Sequence, residues 1–193
     1  MKQMIAVKYL LVTSMLLIAS SAHAVGFKGV VGFGVDLGGA TIATGVYSDG
    51  TKVDAKANEG LLINGGVVMI TDKFETQLTV GYKSGGPKAQ NGSITFDTVP
   101  VELMEFIRAS NMRIGLGFVS QNSPKLVIDI PGTSTTTKYD NAIGSVAQIG
   151  WAPANSPFSI DLHYTAINYK PSNVVNAKSI YGNTFGLYMS FFF

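Results

Sequence analysis

The chain has 193 residues, of which 46% are hydrophobic and only 13% are charged. That charged fraction is about half of what a soluble globular domain carries, and no run after the first thirty residues reaches the roughly 18 apolar residues of a spanning helix. No basic patch favours a nucleic-acid partner, and the absence of cysteine excludes thiolate metal sites.

The amino-terminal stretch MKQMIAVKYLLVTSMLLIASSAHA has the three parts of a bacterial secretory signal peptide. Two lysines supply the basic start, residues 9–19 the short apolar core, and Ala22-His23-Ala24 the small-x-small cleavage site. We predict a signal peptide at residues 1–24 and one domain at residues 25–193, with an uncleaved anchor as the alternative. Two of the 14 basic residues and none of the 12 acidic ones lie in 1–24, so the mature domain has 12 of each.

The rest of the chain alternates apolar and polar residues with a period of two, which indicates strands with one apolar and one polar face. In FETQLTVGYK, Phe74, Leu78 and Tyr82 share one face, whereas Glu75 and Gln77 share the other. We predict eight such strands, at roughly 26–43, 57–71, 74–84, 92–108, 112–122, 139–152, 157–169 and 180–193.

The connectors alternate in length, with short ones at 71–73, 109–111 and 152–157 and long ones at about 44–56, 84–92, 122–139 and 169–179. Outer-membrane barrels alternate short periplasmic turns with long extracellular loops and have an even number of strands. We therefore predict an all-β fold, an eight-stranded antiparallel up-and-down transmembrane barrel. A soluble lipocalin or sandwich is the alternative.

Two observations favour a barrel with its apolar face outside. The polar face carries charges on many strands, and a buried charge must be paired. Aromatic residues also fall near strand ends, as the girdle residues of membrane barrels do, and we predict this role for Tyr82, Phe118, Trp151, Phe158, Tyr169 and Phe193.

The carboxyl-terminal stretch GNTFGLYMSFFF alternates apolar residues up to a final phenylalanine. It resembles the signal that the barrel-assembly machinery reads in bacterial outer-membrane proteins, and the residues that carry this resemblance are Phe185, Leu187, Met189, Phe191 and Phe193. The strand must also pair with the first strand, so that no edge is left open in the membrane.

Several further stretches, LTVGYK, VPVELMEFIRASNMRIGLGF, YDNAIGSVAQ and LHYTAINY, complete a resemblance that covers most of the strands. The mature chain resembles the small eight-stranded outer-membrane barrels of the OmpX and OmpA type and a broad group of proteobacterial outer-membrane barrels. The resemblance implies the outer membrane of a Gram-negative bacterium and contact with its lipid and lipopolysaccharide. It brings no established activity.

The lumen of an eight-stranded barrel is just wide enough for its own side chains. We therefore predict a polar network that plugs it, formed by Lys28, Asp36, Glu75, Gln77, Glu102, Arg113, Gln148, Asp161 and His163. The sequence does not determine whether the Glu105 side chain faces the lumen or the lipid. A bulge near Leu103–Met104 would turn Glu105 inward; without one it faces lipid near the periplasmic rim, which is expensive.

The sequence favours a structural or surface-interaction role through the outer loops, as a monomer, without enzymatic activity, cofactor, metal or nucleic acid. In the third loop, Lys125–Ile130 is extended and apolar, and we expect it to prolong the barrel as a hairpin whose edge could recruit a partner by strand addition.

Alternative functions rest on weaker patterns. Asp161, His163 and Thr165 share one strand face, and a histidine with a carboxylate and a hydroxyl can form a nucleophile relay. HYTAIN loosely resembles the His-x-Ser motif of an outer-membrane lipid A deacylase, with threonine in place of serine. A lipid A-modifying enzyme of the deacylase or acyltransferase type is therefore one alternative, and a narrow pore or a carrier of a small apolar ligand is another.

Overall fold

The computed structural model describes residues 26–46, 49–89, 92–153 and 156–193. The predicted signal peptide at residues 1–24 lies outside the described residues. The described strands are β1 (Gly26–Gly38), β2 (Thr41–Val46), β3 (Lys52–Lys56), β4 (Gly60–Ile70), β5 (Phe74–Gly85), β6 (Lys88–Ala89), β7 (Gly92–Ala109), β8 (Met112–Ile130), β9 (Thr133–Lys138), β10 (Ala142–Trp151), β11 (Phe158–Ala166), β12 (Asn168–Tyr169), β13 (Ile180–Tyr181) and β14 (Thr184–Phe192). Over these ranges the chain forms no helix with the length and apolar character needed to span a membrane.

Eight of the strands close into one antiparallel ring, in the order β7, β5, β4, β1, β14, β11, β10 and β8, and β8 pairs again with β7. The seam joins β1 to β14 in a register that runs from Val30 opposite Phe192 to Gly38 opposite Thr184. Beyond it, Gly29 and Phe193 exchange two backbone hydrogen bonds of 2.8 and 3.0 Å. The predicted pairing of the last strand with the first is therefore present, and the ring has no open edge.

The ring turns its apolar side chains outward. On β14, Phe185 is 71% exposed and Leu187 52%, whereas the alternate residues Thr184, Tyr188 and Ser190 are buried. We call the outward residues the lipid-facing belt: the odd positions of 27–37 and 61–69, the even positions of 74–82, the odd positions of 99–107, the even positions of 112–118, the odd positions of 143–151, the even positions of 158–164 and the odd positions of 185–193. A lipocalin or sandwich would bury such a face, so the transmembrane barrel prediction is confirmed.

The predicted aromatic girdle is correct in part. Tyr82, Phe118, Trp151 and Phe193 are between 43% and 69% exposed on the belt, and Phe158 is half-buried beside Trp151. Tyr169 is fully buried, so its assignment to the girdle is wrong. It lies on the inward face because it continues the alternation of His163 and Thr165 beyond the end of β11.

Strands β7 and β8 rise beyond the ring. The segment of β8 from Lys125 to Ile130 pairs with β9 on one side and with the first residues of β7 on the other. We call these three segments, residues 92–97, 125–130 and 133–138, the outer sheet. The hairpin predicted in the third loop is thus present as part of a three-stranded sheet.

No bulge falls near Leu103–Met104. The register of β7 with β8 is continuous from Val99 to Ala109, and the one shift in this pairing lies between Asp97 and Val99. Glu105 consequently faces outward, whereas Met104 and Phe106 face the lumen and are buried. Two glycines of the neighbouring strand explain the arrangement, because a Cβ at Gly115 or Gly117 would collide with Phe106 or Met104.

Candidate functional site

The periplasmic third of the lumen contains a cluster of charged residues that compensate one another. Arg113 binds the Asp161 carboxylate with two hydrogen bonds, from Nε at 2.8 Å and from Nη2 at 2.6 Å, and it also pairs with Glu75. Arg108 reaches the other oxygen of Glu75 and donates to the backbone oxygen of Ala152 at 2.9 Å. Two cations thus face two anions, which we call the periplasmic charge cluster.

Further contacts complete this cluster around Arg113, which is 1% exposed. Ser159 Oγ lies 2.8 Å from both Arg113 Nη2 and Asp161 Oδ2. The guanidinium carbon lies 4.3 Å from the centre of the Phe106 ring and 5.5 Å from that of Phe192. Arg113 therefore has both anionic and aromatic partners, the conditions under which a buried cation is tolerated.

A second polar cluster fills the middle of the lumen. Lys83 pairs with Asp36, whose Oδ2 also accepts a hydrogen bond of 2.7 Å from the hydroxyl of Tyr188. Asn58 Oδ1 accepts from Lys83 at 3.2 Å and from Gln121 at 3.3 Å. All five side chains are buried. We call them the central polar cluster.

The weak catalytic candidates are not assembled into a relay. His163 Nε2 lies 2.9 Å from Thr165 Oγ1, and the imidazole stacks on Tyr188 with ring centroids 4.1 Å apart. Asp161 accepts hydrogen bonds from Arg113 and not from His163. The carboxylate nearest to His163 Nε2 is that of Glu102, at 3.8 Å. A nucleophile relay needs the carboxylate on the histidine, so Asp161, His163 and Thr165 do not have that geometry.

The extracellular end of the lumen is closed by apolar side chains. Phe96, Tyr139 and Tyr169 meet edge to face, with ring centroids between 5.2 and 6.4 Å apart. We call these three rings the aromatic plug. They pack in one core with Ala57, Met104, Phe106, Val119, Leu126, Ala142, Val146 and Ile167. The lumen is therefore occupied from its periplasmic to its extracellular end.

The structure shows where each predicted lumen residue lies. Lys28 is exposed at the periplasmic end of β1 and forms no ion pair with any described residue, so its assignment to the network is wrong. It lies at the mouth of the barrel, where β4 pairs with it on one side and the pairing with β14 begins only at Val30. The others line the lumen: Asp36, Glu75, Gln77, Arg113, Gln148, Asp161 and His163 are buried, and Glu102 is mostly buried.

Five members of the two clusters are absent from the predicted network: Lys83, Arg108, Asn58, Gln121 and Tyr188. Gln121 and Tyr188, like Lys83, lie on the polar faces of their strands. Lys83 lies on the polar face of FETQLTVGYK, and the period of two is enough to place it inside. Arg108 lies three residues after Glu105, and its direction depends on the same register, which the sequence does not determine. Asn58 belongs to the connector between β3 and β4, where its φ of 67° gives no periodic signal.

The arrangement is suited to holding the barrel shut. Within the described ranges, no three histidine or acidic side chains lie close enough together to bind a metal ion. The charges of the two clusters are neutralised by neighbours within the lumen.

We expect the reconstituted barrel to give no channel steps in planar lipid bilayers, because two polar clusters and the aromatic plug fill the lumen. A larger porin in the same bilayers is the positive control. The double variant Phe96→Ala/Tyr169→Ala removes part of one layer only and should stay silent as well. Regular steps from the wild-type protein would contradict the filled lumen and favour the narrow pore.

Two solved structures are similar to this chain. Neisserial surface protein A (NspA) aligns with a TM-score of 0.52 at 11% identity, over 89% of this chain and 100% of its own. Ail, the attachment invasion locus protein of Yersinia pestis, aligns with a TM-score of 0.50 at 14% identity, over 86% of this chain and 97% of its own. No protein-family model and no curated sequence matches the chain.

At these identities the similarity concerns the fold. Both proteins are small eight-stranded outer-membrane barrels, so the resemblance stated from the sequence is confirmed at the level of architecture. A closed barrel with an apolar outer surface is the form in which strands cross the bacterial outer membrane. The fold and the lipid-facing belt together place the chain in that membrane.

Proposed function

We propose that this chain is a surface protein that holds the outer sheet above the bilayer and binds an extended polypeptide segment along the free edge of β9. The barrel anchors the sheet and contributes no catalysis, cofactor or conductance. Monomeric state, contact with lipopolysaccharide and recognition of β14 by the assembly machinery are further parts of the proposal.

The free edge of β9 carries the proposal. Tyr139 N–H donates to the backbone oxygen of Pro124 at 2.8 Å, just below the pairing of Lys125 with Lys138. In an antiparallel pair every second residue points its backbone groups at the partner strand. Ser134, Thr136 and Lys138 therefore point theirs away from β8.

Part of that edge is already occupied. The backbone oxygen of Lys138 accepts a hydrogen bond of 2.9 Å from Ser172 N–H. Among the described residues, the backbone groups of Ser134 and Thr136 have no such partner. Two residues of this kind, with the β8 ladder behind them, form a short template for a further strand.

The composition of β9 also supports strand addition. The β9 sequence TSTTTK is rich in β-branched threonine and has no proline, and its one charged residue is the last, Lys138. Exposed edges are normally protected by charge, proline or bulges, and Ser134 to Thr137 has none of these within it. The similar structure of Ail is named for attachment, which agrees with a surface-contact role.

The proposal is tested by a substitution that blocks the free edge of β9 and leaves the hydrogen bonds between β9 and β8 in place. Thr136→Pro removes the outward N–H, whereas Thr136→Ala keeps it and is the matched control. Bacteria that produce the wild type or the alanine variant should adhere to epithelial monolayers, and the proline variant should adhere no better than bacteria without the protein. Heat-modifiable migration on gels confirms that each barrel is folded.

The same bacterial strains can be used to test the proposal against the lipid A-modifying alternative. Wild-type adhesion equal to that of cells without the protein would contradict the proposal. Lipid A mass spectra should be identical with and without the protein, because His163 and Thr165 are enclosed in the lumen. A change in lipid A mass that His163→Ala abolishes would instead favour the enzyme.

A further inference from the structure

Glu105 is the one charged side chain among the described residues of the lipid-facing belt. Thr76 Oγ1 donates a hydrogen bond of 2.9 Å to its Oε2, and no described cation pairs with it. It lies five residues before the periplasmic turn at Ser110, or roughly 16 Å along the strand at about 3.3 Å per residue. A carboxylate at this depth is costly unless a cation accompanies it.

A groove on the belt begins beside Glu105. It has a volume of about 1000 Å³ and is lined by two adjacent rows of outward side chains. Phe74 and Glu105 lie at its periplasmic end, and Phe185 lies at the other. Since β7 and β14 are four strand positions apart in the ring, the groove is roughly 19 Å long at about 4.8 Å per strand.

Ala147 creates the depression in the middle of this groove. In the sheet register it stands between Leu116 on β8 and Tyr164 on β11, which are both much larger. The facing row, with Ile114, Ile149 and Leu162, has no comparably small residue. The result is an apolar channel along the membrane surface with a carboxylate at one end.

We infer that this groove binds a phospholipid of the periplasmic leaflet whose head group carries a primary ammonium. One acyl chain lies over Ala147 between the two rows. The ammonium donates a charge-assisted hydrogen bond to Glu105, which is stronger than a neutral one and is little weakened where water is excluded. Groove and carboxylate thus recognise the two ends of the same molecule.

A second copy of the chain does not fit the same surface. In a twofold interface each residue of one copy contacts a different residue of the other, and the described belt offers no cation that Glu105 could meet there. An ammonium lipid supplies both the missing charge and the apolar chain, and it requires no partner protein.

Native mass spectrometry of the purified barrel tests this inference. Detergent-solubilised protein is mixed with equal amounts of phosphatidylethanolamine and phosphatidylglycerol of identical acyl chains. The wild type should retain the ethanolamine lipid about tenfold better, the order expected for one charge-assisted hydrogen bond. Glu105→Gln should abolish that preference, because the side chain keeps its size and loses its charge.

A pair of leucine variants locates the acyl chain. Ala147→Leu fills the groove and should reduce retention of both lipids severalfold. Ser145→Leu adds the same side chain two residues away on the same face, outside the groove lining, and should retain them as the wild type does. Equal retention of the two lipids by the wild type, an undiminished preference in Glu105→Gln, or equal loss in both leucine variants would overturn the inference.

Discussion

Replacing Arg113 by methionine should lower the free energy of unfolding by about 3–5 kcal/mol, because it strands buried anions. Asp161 would lose both hydrogen bonds to the guanidinium, and Glu75 would keep only Arg108. Methionine retains most of the apolar stem against Phe106. The loss of stability would therefore come mainly from the uncompensated charges and only to a small extent from a cavity.

Urea titration in lipid vesicles measures this loss, with the fluorescence of Trp151, the single tryptophan, as the signal. Lys28→Met is the matched control, since it removes an exposed charge from the same end of the barrel and should change the free energy of unfolding by less than about 0.5 kcal/mol. The double variant Arg113→Met/Asp161→Asn should recover much of the loss, because Glu75 keeps its pair with Arg108 and no charge of the cluster is left unpaired. Equal stabilities of the two methionine variants would contradict a structural role for the cluster.

The ring of strands could be predicted because one period of two runs through it. Each inward and outward set on β5 or β14 can be assigned from sequence alone. The same alternation also places Tyr169 inside, since it is in phase with His163, and its assignment to the girdle disregarded that phase. Alternation is therefore a more dependable guide to the two faces than residue type is.

The contents of the lumen were only partly predictable, because a period gives the face of a residue and not its height or its partner. Arg113 and Asp161 are 48 residues apart, and the stagger of the ring decides that they meet. Glu105 shows the same limit, since its direction depends on room that Gly115 and Gly117 leave on the neighbouring strand. Such room is a property of the assembled sheet.

Gly65 and Gly66 of β4 allow a test of how tightly neighbouring strands of the ring pack against each other. An added Cβ at Gly66 would lie 2.8 Å from the Thr79 Cα and 2.9 Å from the Leu78 carbonyl carbon, and both atoms belong to the backbone of β5. At Gly65, an added Cβ would approach no described atom more closely than 3.6 Å, at the backbone oxygen of Val30. Two adjacent glycines therefore differ sharply in the space beside them.

Gly66→Val should destabilise the barrel by at least ~3 kcal/mol, the upper end of overpacking costs, because a backbone cannot rotate out of the way as a side chain can. Strand β4 would have to move away from β5, with which it pairs from Leu61 to Ile70. Gly65→Val should fold like the wild type, since its side chain points into lipid. The measurement is the fraction that regains heat-modifiable migration after refolding into vesicles. Equal fractions for the two variants would show that the contact with β5 does not limit closure of the ring.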